Sequence, residues 1–481
     1  MVMTRNKARF IAGFIIVSLI FIYLRAKTLD HLLMWDEARN IISLRAFLTD
    51  NYLDPFYRNY FLHPPLYMAF AALAFPFKAG LDMRLELLSL FFSYLTLLVV
   101  YVLSAKTGGW KYAFLSGFFL SLMPVSIGYD TWIKRDGLAS CLGYLAILLL
   151  VKRKFLWCAI ALSFSMLTKE NALFFLLAAT AVLFILKERM VLKKIALIYG
   201  IVIAFSVWWY LGFSSMPADL FDIYLSAQNN VSAWANSSTY YFKKLLPDLG
   251  LPMLIFFLMG LFYILYLFFR KKEYRWSLPL IIFLCVYVPS SFVIMSKTPW
   301  LSASAAPALA MIAAAGALFL LRRARRLKSL LFIFTLLLIF LAHNGLSFSY
   351  SAYHTKTYPG GWSGASNSRT LAFYLNNHMR GAERLMLTQF CYWGMPLCSM
   401  CPVFLYYYDG KPVYIIDGRD SAEEVMKEAV KNKISWLAVA DSPESNFNFH
   451  TLVKGITGSV LGKPGKAGSS YVWNTDILWR Q

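Results

Sequence analysis

Residues 251–269 read LPMLIFFLMGLFYILYLFF, a stretch without a single charged side chain. A helix needs about 20 mainly apolar residues to cross the hydrocarbon core of a bilayer. The stretch therefore predicts a transmembrane helix, because lipid offers the backbone no hydrogen-bond partner outside the helix itself. Further apolar runs occupy Phe10–Leu24, Leu85–Leu103, Ile195–Leu211, Leu278–Met295 and Leu330–Ala342.

The composition of the whole chain agrees with these runs. Of its 481 residues 59% are hydrophobic and only 15% are charged, whereas a soluble domain carries about 25% charged residues. The first run begins with Arg5, Lys7 and Arg9 but is followed by no small-residue cleavage site, so it is interpreted as a retained anchor. These features predict a polytopic α-helical membrane protein, placed in the cell membrane.

The net charge of +22 is spread over short basic clusters between the apolar runs. A nucleic-acid-binding protein needs one continuous basic face, so nucleic acid is excluded as a partner. Cationic loops mark the cytoplasmic side of a membrane protein. The clusters assigned to that side are the N-terminus, Lys152–Lys154, Lys187–Lys194, Arg270–Arg275 and Arg322–Lys328.

This assignment leaves five stretches outside the membrane. They are Asp130–Asp136, Thr168–Asn171, Ser214–Pro247, Lys297–Trp300 and everything after about Asn344. Counting every apolar run as a crossing gives an even total, which conflicts with a cytoplasmic N-terminus. We therefore interpret Pro64–Gly80, which is short and proline-rich, as a juxtamembrane helix. About eleven transmembrane helices remain.

The composition changes near residue 345, which predicts two domains. Residues 1–345 form the membrane domain, with an external loop and juxtamembrane helices over 25–80, and residues 346–481 form a small extracytoplasmic α/β domain. After a linker at Tyr350–Ser368, the predicted elements are a helix Arg369–Met379, strands Glu383–Gln389, Pro412–Ile416 and Ile434–Ala440, and a helix Ser421–Lys431. Cys391, Cys398 and Cys401 cluster there, and a disulfide between two of them stays open.

Ionisable residues at membrane ends are candidates for function because charge is expensive near hydrocarbon. Five such groups map to the external side: Asp36-Glu37-Ala38-Arg39, His63-Pro64-Pro65, Asp130 to Asp136 with Arg135, Thr168-Lys169-Glu170-Asn171, and Ser296-Lys297-Thr298. Each also has a structural alternative. Asp36 suits a helix N-cap, Arg135 can pair with Asp136, and Lys169 can pair with Glu170.

A carboxylate pair near several cations suits one type of chemistry. A carboxylate takes the proton from an incoming hydroxyl while cations hold a departing phosphate. A lipid phosphate leaves readily, so no general acid is required. The absence of a general acid distinguishes the reaction from glycoside hydrolysis, which needs a protonated carboxyl.

The order of these motifs resembles the C-type (GT-C) membrane glycosyltransferases, particularly the protein O-mannosyltransferase and aminoarabinose transferase group. The resemblance covers residues 1 to about 345 and rests on Asp36-Glu37, His63-Pro64-Pro65-Leu66, Arg135-Asp136, Thr168-Lys169-Glu170 and Lys297. Aminoarabinose transferases carry lysine before the double proline, so His63 departs from that subgroup.

The resemblance implies an inverting transfer of a sugar from a polyprenyl or dolichyl monophosphate carrier to a hydroxyl of a protein, lipid or glycan. Asp36 would be the catalytic base. Other implied roles are acceptor or substrate binding by Glu37, Arg39 and Glu170, phosphate binding by His63, Arg135, Lys169 and Lys297, and support of the site by Asp136.

No cofactor is required by this pattern. Oligosaccharyltransferases of the same superfamily show a metal-binding Asp-x-Asp pattern, whereas this chain has Asp36-Glu37, so a divalent metal is not indicated. Two alternatives use the same polar groups differently. A transporter or flippase would line a path with them, and a noncatalytic membrane subunit would act through its external domain.

Overall fold

The computed structural model describes residues 2–29, 64–73, 81–185, 188, 190–214, 240–292, 303–323, 362–379, 383–389, 413–417, 421–439, 464–467 and 470–475, with the single residues 37, 40, 41, 44, 453, 454, 456 and 457. The chain divides into two compact units. The helical unit comprises Met1–Asp30 and His63–Ala352, and the second unit comprises His31–Leu62 and Tyr353–Gln481.

Thirteen α-helices are described in the helical unit. They are α1 (Val2–Ala26), α2 (Leu66–Ala72), α3 (Leu81–Gly108), α4 (Trp110–Leu122), α5 (Pro124–Tyr129), α6 (Arg135–Val151), α7 (Phe155–Met166), α8 (Leu173–Ile185), α9 (Val191–Ser214), α10 (Tyr240–Leu249), α11 (Leu251–Phe269), α12 (Leu278–Phe292) and α13 (Ala306–Arg323).

Six helices of the described ranges are long and apolar enough to cross a bilayer. They are Arg5–Ala26, Leu81–Gly108, Val191–Trp208, Leu251–Phe269, Tyr274–Phe292 and Ala303–Arg323. The chain is an integral membrane protein with a largely helical fold, as the sequence predicts. The total of about eleven crossings stays a prediction, because Leu330–Ala342 lies outside the described residues. Helix α2 has seven residues and rises only about 10 Å, in line with a juxtamembrane element.

Close backbone contact holds α11 against α13. A Cβ atom added at Gly260 would lie 1.8 Å from the carbonyl oxygen of Ile312, and one added at Gly316 would lie 2.1 Å from that of Phe256. Small residues are favoured at helix contacts in membranes because they let backbones approach. Large side chains on the other face of α11, such as Phe262 and Phe269, are exposed, as expected of a surface that faces lipid.

Contacts between basic clusters agree with the predicted topology. Glu188 accepts hydrogen bonds from Arg153 Nε at 3.0 Å and from Lys194 Nζ at 2.6 Å, which joins two clusters assigned to one side. The hydrogen bond from Lys194, with further attraction from Arg153, lowers the pKa of the Glu188 carboxyl below its ordinary value.

Two other clusters meet around Trp276. Arg322 donates to the Tyr263 hydroxyl at 2.7 Å, and its guanidinium lies 5.8 Å from the centroid of the Trp276 ring. We call the ends of the helices that carry Arg9, Arg153, Lys194 and Arg322 the basic end.

Among its described residues, the second unit contains a five-stranded sheet in the order β2-β1-β3-β5-β4. The strands are β1 (Leu385–Gln389), β2 (Val413–Asp417), β3 (Trp436–Val439), β4 (Gly465–Ala467) and β5 (Ser470–Asn474), and the helices are α14 (Trp362–His378) and α15 (Ala422–Lys431). Strand β1 is parallel to β2 and β3, with Leu385 opposite Val413 and Trp436, whereas β5 is antiparallel to β3.

Helix α15 begins with a capping box. The Ser421 hydroxyl accepts from the Glu424 backbone N–H at 3.2 Å, and the Glu424 carboxylate accepts from the Ser421 N–H at 2.8 Å. Val425 and Ala429 then face a buried cluster with Leu437 and Trp473. The predicted strands and helices over 383–440 are present within two residues of these bounds. The prediction of a linker up to Ser368 is wrong from Trp362, where α14 begins, and β4 and β5 were not predicted.

Candidate functional site

Lys169 and Asp136 form an ion pair between two loops of the helical unit. The Lys169 Nζ lies 2.6 Å from Asp136 Oδ1 and 2.7 Å from Oδ2. The two side chains are only 15% and 11% exposed. The pair joins the third and fourth polar groups of the sequence, so these two predicted site residues are neighbours.

Local hydrogen bonds explain why Lys169 stands at this point. Helix α7 ends at Met166, and the Lys169 N–H donates to the Ser165 carbonyl at 3.1 Å. Lys169 is itself extended and precedes a 3₁₀ turn, Glu170–Ala172. The Ser165 hydroxyl donates to the Ala139 carbonyl of α6 at 2.7 Å, which ties the Lys169 turn to the helix that carries Asp136.

The proline motif reaches the same turn. The Leu66 N–H, at the start of α2, donates to the carbonyl of Leu167 at 3.0 Å. Pro64 is buried, whereas the preceding His63 lies outside the described residues. Three of the five polar groups thus come together through Leu66, Asp136 and Lys169.

A second ion pair, between the fully buried Arg25 and the 16% exposed Asp130, was not predicted. The Arg25 Nε lies 2.9 Å from Asp130 Oδ2. Nη2 of the same guanidinium donates to the Ser126 hydroxyl at 2.9 Å and to the Leu120 carbonyl at 3.2 Å. The Ser121 carbonyl accepts a further hydrogen bond from Arg25. A buried charge needs such partners. The sequence signal that could have indicated this pair is an arginine at the end of the apolar run Phe10–Leu24.

Both ion pairs lie opposite the basic end. Helix α1 separates Arg9 from Arg25, and α6 separates Asp136 from Arg153. Each separation is about 25 Å at 1.5 Å per residue. We call the end that carries Arg25, Asp130, Asp136 and Lys169 the site end.

A pocket opens at the site end, beside Asp136. We call it the polar pocket after the hydroxyl-bearing and charged residues in its walls, although most of its exposed lining is apolar. The hydroxyl-bearing and charged residues that line it are Ser89, Ser93, Thr96, Ser126, Asp130, Lys134, Asp136, Ser140 and Ser304. Phe21, Leu120 and Trp132 close its apolar side. The cavity volume is about 40 Å³, enough for about three water molecules. It therefore suits small polar groups rather than a lipid chain.

The remaining predicted residues are distributed as follows. Asp36, Arg39, His63 and Lys297 lie outside the described residues. Arg135 is buried at the first turn of α6, and Glu170 opens the 3₁₀ turn. Glu37 belongs to the second unit, where it is buried in a helical conformation with Ile41 and Leu44. The catalytic and binding roles of all these residues, including the support by Asp136, stay predictions.

No group of three or more His, Cys, Asp or Glu side chains in the described part of the chain is arranged to hold a metal ion. Asp130 and Asp136, the carboxylates of the pocket, both have cationic partners, Arg25 and Lys169.

The fold is that of the GT-C membrane glycosyltransferases. The structure of ArnT from Cupriavidus metallidurans in the apo state matches with a TM-score of 0.64 and 13% identity, over 98% of this chain and 98% of that one. The same protein bound to undecaprenyl phosphate gives 0.64 and 14%, over 96% and 97%. An Archaeoglobus fulgidus oligosaccharyltransferase in complex with Zn and sulfate gives 0.57 and 13%, over 89% and 67%.

The sequence was also compared with family models and with curated protein sequences. No family model and no curated protein sequence matches this chain. The predicted resemblance to GT-C enzymes is confirmed at the level of the fold, over nearly the whole length of ArnT.

Proposed function

We propose that this chain is an inverting glycosyltransferase that moves a sugar from a polyprenyl or dolichyl monophosphate carrier to an acceptor hydroxyl. The observation that carries the proposal is the Lys169–Asp136 pair beside a polar pocket at the site end, within a fold shared with a protein solved with undecaprenyl phosphate bound. The sugar, the carrier and the acceptor's nature as protein, lipid or glycan are left open.

Lys169 is suited to hold the phosphate while keeping its ion pair. A lysine ammonium has three N–H donors, and the two Asp136 oxygens occupy at most two of them. The remaining donor is available to a phosphate oxygen. Asp136 also fixes the position of the ammonium, which removes part of the entropic cost of binding an anion.

The reaction then needs one base and no general acid. Asp36 takes the proton from the acceptor hydroxyl, whose oxygen attacks the anomeric carbon of the sugar. The bond from that carbon to the phosphate oxygen breaks, and the carrier phosphate leaves with the electron pair. Attack opposite the leaving group inverts the anomeric configuration. Lys169, together with His63, Arg135 and Lys297, stabilises the charge on the phosphate.

The remaining polar residues of the motifs have supporting roles in this proposal. Glu37, Arg39 and Glu170 bind or orient the acceptor, and the reaction as proposed requires no metal. The site end faces outward because the cationic basic end is retained in the cytoplasm. In this orientation the C-terminal α/β domain lies outside the cell membrane. The chain then crosses the membrane about eleven times.

Transfer by purified protein in detergent tests the function directly. We expect radiolabelled sugar to pass from a polyprenyl-phosphate sugar to an acceptor fraction, with release of one sugar-free carrier phosphate for each transfer and inversion at the anomeric carbon. A flippase has no compartments to connect in detergent and would give no product. Absence of transfer from every carrier tried, with the protein folded and the donor bound, would contradict the proposal.

A further inference from the structure

The Ser89 hydroxyl, in the wall of the polar pocket, makes no hydrogen bond among the described residues. Ser89 is 3% exposed. A buried hydroxyl without a partner lowers the stability of the fold. A ligand that supplies the missing hydrogen bond would restore that stability.

Other hydroxyls of the same wall are already engaged. Ser93 donates to the Asp130 carbonyl at 3.2 Å, Ser126 donates to the Asp130 carboxylate at 2.6 Å, and Thr96 donates to the Phe92 carbonyl at 3.0 Å. Ser89 therefore differs from these neighbours in having its hydrogen-bonding capacity open toward the pocket.

The charges of the pocket favour a neutral ligand. Asp130 is bound by Arg25 and Asp136 by Lys169, so neither carboxylate needs a cation from a ligand. The third charged group, the Lys134 ammonium, lies 4.6 Å from the centroid of the Trp132 ring. The volume of about 40 Å³ admits hydroxyl groups rather than a complete ring.

We propose that this pocket recognises hydroxyl groups of the donor's sugar, that the sugar is uncharged, and that Ser89 is a specificity-determining residue. The proposal rests on the proposed function. In the donor, the anomeric carbon is one ester bond from the phosphate, so a pocket that shares Asp136 with the Lys169 pair adjoins the sugar. The acceptor also carries hydroxyl groups, and the test separates the two sources.

Steady-state kinetics of Ser89→Ala provides the test, with Ser104→Ala as a matched control. Ser104 lies on the same helix, is buried without a hydrogen-bond partner among the described residues, and does not line the pocket. We expect Ser89→Ala to raise the KM for the donor about 3- to 10-fold, as loss of one neutral hydrogen bond predicts. Inhibition by the sugar-free carrier phosphate should not change, and Ser104→Ala should stay within about twofold of the unmodified protein.

Three results would overturn this assignment. They are an unchanged donor KM, an equal weakening of donor and sugar-free carrier, or a change confined to the acceptor KM. Tighter binding of a carrier bearing an amino sugar than of one bearing a neutral sugar would contradict the uncharged class. Failure of the unmodified protein to transfer sugar would refute the proposed function instead, and equilibrium binding of labelled donor would still test the pocket.

Discussion

Replacing Asp36 with asparagine is expected to lower the kcat of sugar transfer by about 10²–10⁴-fold, the usual contribution of a general base. The amide preserves the shape of the side chain but cannot accept the acceptor's proton. Binding of the donor should be nearly unchanged, because the role assigned to Asp36 lies in the chemical step. Transfer from labelled polyprenyl-phosphate sugar, together with a donor-binding measurement on the same preparation, checks both expectations.

Glu37→Gln is the matched control for Asp36→Asn. It removes the neighbouring carboxylate, which is assigned to the acceptor and not to proton transfer. We therefore expect its main effect on the acceptor KM. A kcat unchanged by Asp36→Asn would remove Asp36 from the reaction. Equal losses of kcat in the two variants would show that the acidic pair acts as a unit.

Replacing Lys169 with methionine is expected to reduce kcat/KM by about 10²–10³-fold, the effect typical of removing one group that stabilises transition-state charge. The substitution also leaves Asp136 buried without its cation, which is itself destabilising. Sugar transfer and thermal unfolding must therefore be measured together.

Two further variants separate catalysis from folding. The double variant Lys169→Met with Asp136→Asn removes both charges, so it should recover stability but not activity. Asp136→Asn alone breaks the same ion pair while keeping the ammonium, so we expect a loss of stability like that of Lys169→Met but a smaller loss of activity. Equal activity losses in Lys169→Met and Asp136→Asn would contradict the phosphate role and support a purely structural pair.

The membrane helices were predictable because the bilayer leaves the backbone few options. The run 251–269 became α11 at the same bounds, and charge asymmetry correctly grouped Arg153 with Lys194. In the second unit, short strand-like runs on either side of a polar helix predicted β1, β2 and β3. Strands β4 and β5 were not predicted because Gly465, Gly468 and Ser469 are residues typical of loops.

Contacts between distant residues were the part that the sequence could not supply. It placed Asp136 and Lys169 on one side, but their ion pair depends on how α6 packs against the turn after α7. Arg25 and Asp130 are 105 positions apart, and no local pattern connects them. The pocket arises where α1, α3, α4, α5, α6 and the start of α13 meet, so its unpartnered Ser89 could not be singled out in advance.

Labelling of single cysteines with a membrane-impermeant maleimide tests most directly whether the motifs form one site on one face. Cysteine would replace Ala38, Asn171 or Thr298 near the site residues and Lys193 or Lys272 at the basic end, in a protein whose Cys391, Cys398 and Cys401 are serine. Labelling after denaturation gives the total for each position. We expect positions 38, 171 and 298 to react in intact cells, and positions 193 and 272 to react only after permeabilisation. Positions 38 and 171 on opposite faces would contradict the single site.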